Sequence, residues 1–226
     1  MLTVSQAARS EILSYFGLPP SRVRCIYPGV ISLAGLRTDV PARSHTEPLV
    51  LFVGSVFNRR HIPTLIRAFK PIARAHADAR RAIVGDNRTY PYEDLPAIAA
   101  TEGVDAQVII RPYAFDAELS ELYVRARAFA LLSEYEGFGH PPLEALASGV
   151  PSVLLDTPVA REVCADAALY VRLDDIDGIT SALQGLLFDD AVRERILRAA
   201  PSVLARYSWA RAGAETLAVL EAAAHG

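Results

Sequence analysis

Cysteine is scarce here. The chain has only Cys25 and Cys164 in 226 residues, too far apart for a metal motif and too few for a disulfide framework. A reducing, cytoplasmic setting is therefore expected. The first residues carry charge early, at Arg9 and Glu11, and lack the apolar centre of a secretory leader. No apolar run approaches the roughly 20 residues that a membrane-spanning helix needs. Net charge is only −3, which gives nucleic acid no electrostatic footprint to follow, and no such partner is expected. The acidic Asp174-Asp175 reads as the charged start of a helix rather than as metal ligands, so no metal is expected. Internal repeats, low-complexity tracts and heptads are missing too, which excludes solenoids and coiled coils.

The chain does have the means to build a core, with 51% hydrophobic and 22% charged residues. Its length suits one large domain or one and a half ordinary ones. Near the start, Thr3 or Ser5 can cap a helix that runs to about Phe16 and closes at Gly17. Val23–Tyr27 alternates like a short strand, Tyr27-Pro-Gly-Val30 turns, and 31–48 reads as a linker. From Pro48 onward, strand and helix patterns alternate. Strands are expected at 49–53, 81–85, 107–110, 128–132, 152–155 and 169–172. Helices are expected near 61–77, 92–102, 116–126, 141–148, 158–165, 176–188, 190–204 and 208–224. This is an α/β pattern. It implies a doubly wound, Rossmann-like parallel sheet of about six strands with helices on both faces. In the usual 3-2-1-4-5-6 order the first and fourth strands are neighbours, and ligands bind beyond their C-terminal ends.

The loop after the fourth strand is the chemically richest stretch. Ala128–Leu132 leads into Ser133-Glu-Tyr-Glu-Gly-Phe-Gly-His-Pro-Pro-Leu-Glu144, a glycine-rich turn that opens a helix with prolines in its first turn. A helix start offers free N–H groups to an anion. Glu136 and Glu144 flank it, with seven residues between them, and carboxylates accept hydrogen bonds from sugar hydroxyls. N–H groups for phosphate between carboxylates for hydroxyls suit a sugar nucleotide, although a glycine-rich strand–helix turn occurs in many α/β proteins.

The run Glu136-Gly-Phe-Gly-x-Pro-x-Leu-Glu144-Ala-x-Ala-x-Gly-x-Pro151 resembles the Glu-x7-Glu signature of retaining glycosyltransferases with two Rossmann-like domains, in the glycogen-synthase/mannosyltransferase-like group. The resemblance covers roughly residues 3–223, but only the donor-binding half of that architecture. It implies that Glu144 holds the nucleotide ribose and Glu136 lies against the donor sugar. Gly137, Phe138, Gly139, His140 and Leu143 would complete the turn around the diphosphate, with the His140 backbone N–H its useful part. Phe52-Val-Gly-Ser-Val-Phe-Asn-Arg-Arg-His61 resembles the family's loop for the diphosphate. Gly54, Ser55 and Arg60 are donor-binding residues on this reading, with Arg60 and Glu136 as the catalytic pair. Two departures stand out: Ser55 replaces a common arginine and Arg60 the usual lysine, whose charge a guanidinium carries in a wider fork. The alternative for Arg60 is a solvated charge at a helix start. Arg59 is expected at the surface, and His61 as a helix cap.

Ile109-Ile-Arg-Pro-Tyr-Ala-Phe-Asp116 resembles the base-lining segment, with Pro112 in place of a glycine. There Arg111, Pro112 and Tyr113 would face the base; otherwise Tyr113 is core and Asp116 a cap. Gly85 would relieve crowding near the ligand, Asn87 could contact it, and Glu162 is expected to be structural. The resemblance further implies a boundary near residue 48, with 1–47 as the end of an acceptor domain plus linker. Residues 48–206 would be the donor domain and 207–226 a crossover helix.

The leading reading is a donor domain that binds a nucleotide sugar without metal or other cofactor. With an acceptor-binding domain or subunit, it would transfer the sugar with retention. A homo-oligomer and a peripheral membrane association of the full enzyme are further expectations. The alternatives are a non-catalytic nucleotide-sugar-binding module and, more distantly, a sugar-nucleotide epimerase.

Overall fold

The computed structural model describes residues 1–32 and 46–224. Most of the expected linker, at 33–45, lies outside the described residues. Six parallel strands form the central sheet: β3 (Glu47–Val53), β4 (Arg80–Val84), β5 (Val108–Arg111), β6 (Ala126–Leu131), β7 (Ser152–Leu155) and β8 (Ala168–Val171). Their order is β5-β4-β3-β6-β7-β8, so β3 and β6 lie side by side where the chain reverses its direction of winding. The expected topology is therefore the observed one. Leu51 pairs with Ala82 on one side and Phe129 on the other, and Leu49 through Phe52 are buried because helices cover both faces.

Those helices are α2 (Ile62–Ala75), α3 (Leu95–Glu102), α4 (Asp116–Arg125), α5 (His140–Ala147), α6 (Pro158–Cys164), α7 (Ile176–Phe188) and α8 (Asp190–Leu204). Each starts or stops where its sequence allows. In α2, Leu65, Ile66, Phe69 and Ile72 are spaced to share one buried face. Asp94 caps α3 by accepting from the Ala97 N–H at 3.0 Å, which starts that helix later than residue 92. The acidic Asp175 caps α7 by accepting from the Gly178 N–H at 2.7 Å, as its place before a helix suggested.

The chain's two ends flank this body. A two-stranded parallel sheet pairs β1 (Leu2–Thr3) with β2 (Arg24–Cys25) around helix α1 (Gln6–Phe16). Ser5 caps α1, and Gly17 closes it in the left-handed region at φ 62°. Helix α9 (Trp209–Ala224) follows Tyr207, whose hydroxyl donates to the Val163 carbonyl at 2.8 Å. Among the described residues, no helix is long and apolar enough to cross a membrane.

Candidate functional site

The loops that leave β3 and β6 meet over the seam between the two strands. Arg60 ends a short 3-10 turn after β3 and is buried. Its Nε donates to Glu136 Oε1 at 2.9 Å, and the same carboxylate oxygen lies 2.7 Å from a terminal guanidinium nitrogen. The other terminal nitrogen donates to the Ser55 carbonyl at 2.8 Å. The two residues expected to be catalytic are thus joined to each other, and Arg60 is not a solvated charge. Two further bonds stitch the loops together: the Glu134 N–H donates to the Arg59 carbonyl at 3.0 Å, and Arg59 Nε to the Tyr135 carbonyl at 3.2 Å.

Close backbone packing makes room for this arrangement. A Cβ on Gly54 would lie 2.5 Å from an Arg60 nitrogen, so only glycine lets the guanidinium sit there. A Cβ on Gly85 would fall 1.9 Å from the Gly54 carbonyl oxygen. Gly85 therefore relieves crowding between the β3 and β4 loops themselves. The ladder continues past the strands, with the Gly54 N–H donating to Val84 and the Gly85 N–H to the Arg111 carbonyl.

The turn after Glu136 carries less N–H capacity than a typical helix start. Gly139, at φ 95°, precedes α5, and His140 is its first residue. Pro141 and Pro142 follow and have no N–H, so His140 alone offers one among the first three helical positions. Phe138 is buried against Tyr27 and Tyr207, at centroid separations of 6.4 and 5.4 Å. The His140 ring stacks on Trp209, with centroids 6.2 Å apart and planes 9° from parallel. Burial lowers the pKa of that imidazole below its usual range. Leu143 is buried, whereas Glu144 is half-buried on the same helix. Burial alone pushes the Glu144 carboxyl above the ordinary carboxylate range. A cavity of about 20 Å³ lined by Leu131, Glu136, Phe138, Gly139, Pro142 and Cys164 has room for roughly one water.

Arg111, Pro112 and Tyr113 stand apart from this cluster, at the open end of β5, and all three are exposed. Arg111 lies 3.4 Å from Glu118, and the Tyr113 ring meets Phe115 edge-on. Tyr113 is thus not a core residue. Asp116 is not the cap either: it is the first residue of α4, and Glu118 accepts from the Phe115 N–H at 3.2 Å. Asn87 is engaged locally, donating to the Glu93 carbonyl at 2.9 Å. His61 does not cap α2 with its side chain; its ring nitrogen lies 3.2 Å from Glu134 instead. Glu162 is structural in a specific way, because its carboxylate accepts from the N–H groups of Gln6 and Ala7 at 2.6 and 2.8 Å. One contact was missed altogether: the Ser5 hydroxyl donates to the Gly137 carbonyl at 2.7 Å. Nothing in a serine 132 residues away signals that bond.

"O-antigen chain mannosyltransferase B" of Escherichia coli is 28% identical over 230 residues, covering 96% of this chain and 59% of that protein. "O-antigen chain mannosyltransferase RfbU" of Salmonella typhimurium is 29% identical, covering 82% of this chain and half of its own length. The chain thus spans between a half and three-fifths of these curated relatives. Among solved structures, sucrose-phosphate synthase from Thermosynechococcus elongatus superimposes over the whole chain with a TM-score of 0.78 at 21% identity, the chain covering 58% of it. HepE of Anabaena, solved with UDP and glucose, gives 0.82 at 17% identity, covering 98% of this chain and 62% of its own. The family description "Glycosyl transferases group 1" matches residues 38–203, most of the chain, and the protein belongs to that family.

Proposed function

We propose that the sheet edge over β3 and β6 binds a nucleoside diphosphate sugar. Together with an acceptor-binding domain or subunit, this chain then transfers the sugar with retention of configuration. The observation that carries the reading is the Arg60–Glu136 pair, a buried cation held by a carboxylate directly under the glycine-rich turn. A diphosphate is a stronger anion than one carboxylate oxygen and can take the guanidinium in its place. Arg60 and the His140 N–H then share the charge that builds on the diphosphate as the glycosidic bond loosens, without a metal. Glu136, released from Arg60, turns to the hydroxyls of the sugar. Glu144 accepts from the ribose hydroxyls, which suits a carboxylate kept partly out of water without a cation. The open edge at Arg111–Tyr113 receives the base.

Support for the nucleotide comes from HepE, whose solved complex holds UDP and glucose. Support for a hexosyl, mannosyl-type transfer comes from the mannosyltransferase names of the curated relatives. The division into an end segment (1–47), a donor domain (48–206) and a crossover helix (207–226) belongs to the same proposal. The second reading is a non-catalytic nucleotide-sugar-binding module or partner subunit, which keeps the donor site but not the transfer. Thermal melts with UDP, GDP and ADP, with and without attached sugars, test the binding step, because a ligand selective for the folded state raises its melting temperature. No shift from any of them at millimolar concentration would overturn the proposal. Transfer assays with and without an added acceptor domain separate the two readings.

A further inference from the structure

We infer that Ser5 is a positioning residue for the Glu136–His140 turn, linking α1 to the donor site; the inference rests on the donor-site reading above. The turn has two glycines and little packed against them. A Cβ on Gly139 would meet nothing within 4 Å, and one on Gly137 would meet only the Val4 side chain, at 3.9 Å. Such a backbone has many conformations to lose, so its order must come from specific anchors. Phe138 supplies one, below the turn. Ser5 supplies the other, beside Glu136.

Ser5 is fully buried, and its hydroxyl does two things at once. It accepts from the Ala8 N–H at 3.0 Å as the cap of α1, and it donates to the Gly137 carbonyl at 2.7 Å. A hydroxyl has one proton to give and two lone pairs, so the roles do not compete. Helix α1 has no buried residue of its own. Beside the packing of Ala7 on the core, polar links hold it, namely Ser5 to Gly137 and the Glu162 carboxylate across the Gln6 and Ala7 N–H groups. The residue that Ser5 holds, Gly137, follows directly on Glu136, whose carboxylate must stay within reach of Arg60. A shift of α1 is thereby passed to the carboxylate that faces the donor.

The test uses the full chain and compares Ser5→Ala, Ser5→Thr and Asp94→Ala with the wild type. Asp94→Ala removes a helix cap of similar kind on α3, away from the turn. Titration with UDP, GDP and ADP should show Ser5→Ala weakening the nucleotide that binds the wild type by roughly three- to tenfold. Ser5→Thr should keep the wild-type dissociation constant, and Asp94→Ala should lower the melting temperature without changing affinity. Wild-type affinity in Ser5→Ala, or an equal loss in Asp94→Ala, would overturn the inference while leaving the donor site intact. If Ser5→Ala does not fold, Glu162→Gln tests the same brace, and unchanged affinity there overturns it equally. Trp209, the only tryptophan, stacks on His140 and gives a readout that needs no ligand. Its acrylamide quenching should rise in Ser5→Ala, and an unaltered value would sink the inference. Failure of the wild type to bind any nucleotide would instead strike the donor-site reading alone.

Discussion

Along β3, Leu49, Val50, Leu51 and Phe52 are buried to within 1% of completeness, whereas on α9 Leu217 and Leu220 stand 56% and 59% exposed. Similar apolar side chains do opposite things in the two regions. In the seam, burial from both faces fixes the backbone that carries Gly54, Arg60 and Glu136. At the ends, α1 and α9 are held by a few polar bonds and an aromatic cluster, with Tyr15 and Phe16 left outside as well. The seam is thus over-determined and the ends are adjustable. The glycine-rich turn lies between them, joined to the seam by Arg60 and to the ends by Ser5, Tyr27 and Trp209.

Truncation should separate the two regions most sharply. Phe52→Ala should cost about 3–5 kcal/mol by leaving a cavity in the sheet core. Leu220→Ala should stay within about 0.5 kcal/mol, and urea titration measures both. Equal costs would mean that α9 is as firmly packed as the seam. A second contrast uses glycine. Gly85→Ala must push the Gly54 carbonyl aside and should cost about 2–3 kcal/mol and lower nucleotide affinity. Gly213→Ala on α9 meets nothing within 4 Å and should stabilise by about 0.5–1 kcal/mol.

Arg81 tests whether every buried group in the sheet is helpful. It lies on β4 with no exposure, and among the described residues none of its three guanidinium nitrogens has a hydrogen-bond partner. Burial pulls its pKa from 12.5 down to about 9. Below pH 9 the group is charged in both states and carries its full desolvation cost; that cost is relieved as pH rises from 9 toward 12.5. Arg81→Met should therefore stabilise by about 1–4 kcal/mol at pH 7, and the gain should shrink above pH 9. A loss of stability at pH 7 would show that the guanidinium is useful where it is. The smallest effect concerns His140. Its lowered pKa means that its contribution is present above the ordinary 6.5 and is lost as pH falls through the lowered value. His140→Phe should flatten the fall in melting temperature on acidification, and an unchanged slope would place the acid sensitivity elsewhere.

Much of this was legible in the sequence. The apolar runs of β3, β4, β6 and β7 place the strands to within about two residues, because a doubly covered parallel sheet buries every side chain along a strand. Alternation with helices gave the parallel sheet, and the order usual for such sheets, which is the one observed, brought the loops of Gly54 and Glu136 together before any distance was known. Local chemistry was harder to read. The start of α4 at residue 116 was read correctly, but Asp116 is its first residue rather than its cap, and Glu118 reaches back to the Phe115 N–H. His61 does occupy the N-cap position of α2, as expected, but in a left-handed backbone, and its ring turns to Glu134 instead of capping. The two-residue pairing of β1 with β2 is too short to leave a periodic signal. The Arg60–Glu136 pair and the Ser5–Gly137 bond join positions 76 and 132 residues apart, and only the folded chain selects them.

The most direct test of the donor site is Glu144→Gln, followed by thermal melts at neutral pH with and without UDP, GDP or ADP. Burial raises the pKa of this carboxyl, so its charge costs stability once pH exceeds the raised value, and the cost vanishes below the ordinary 4.5. A residue kept for its ligand rather than for the fold should give a variant that melts higher than the wild type without nucleotide. That variant should also bind the nucleotide more weakly, by on the order of 1–3 kcal/mol. A variant that melts lower and binds the nucleotide as tightly as the wild type would contradict the account, because Glu144 would then be structural and the ribose would lie elsewhere.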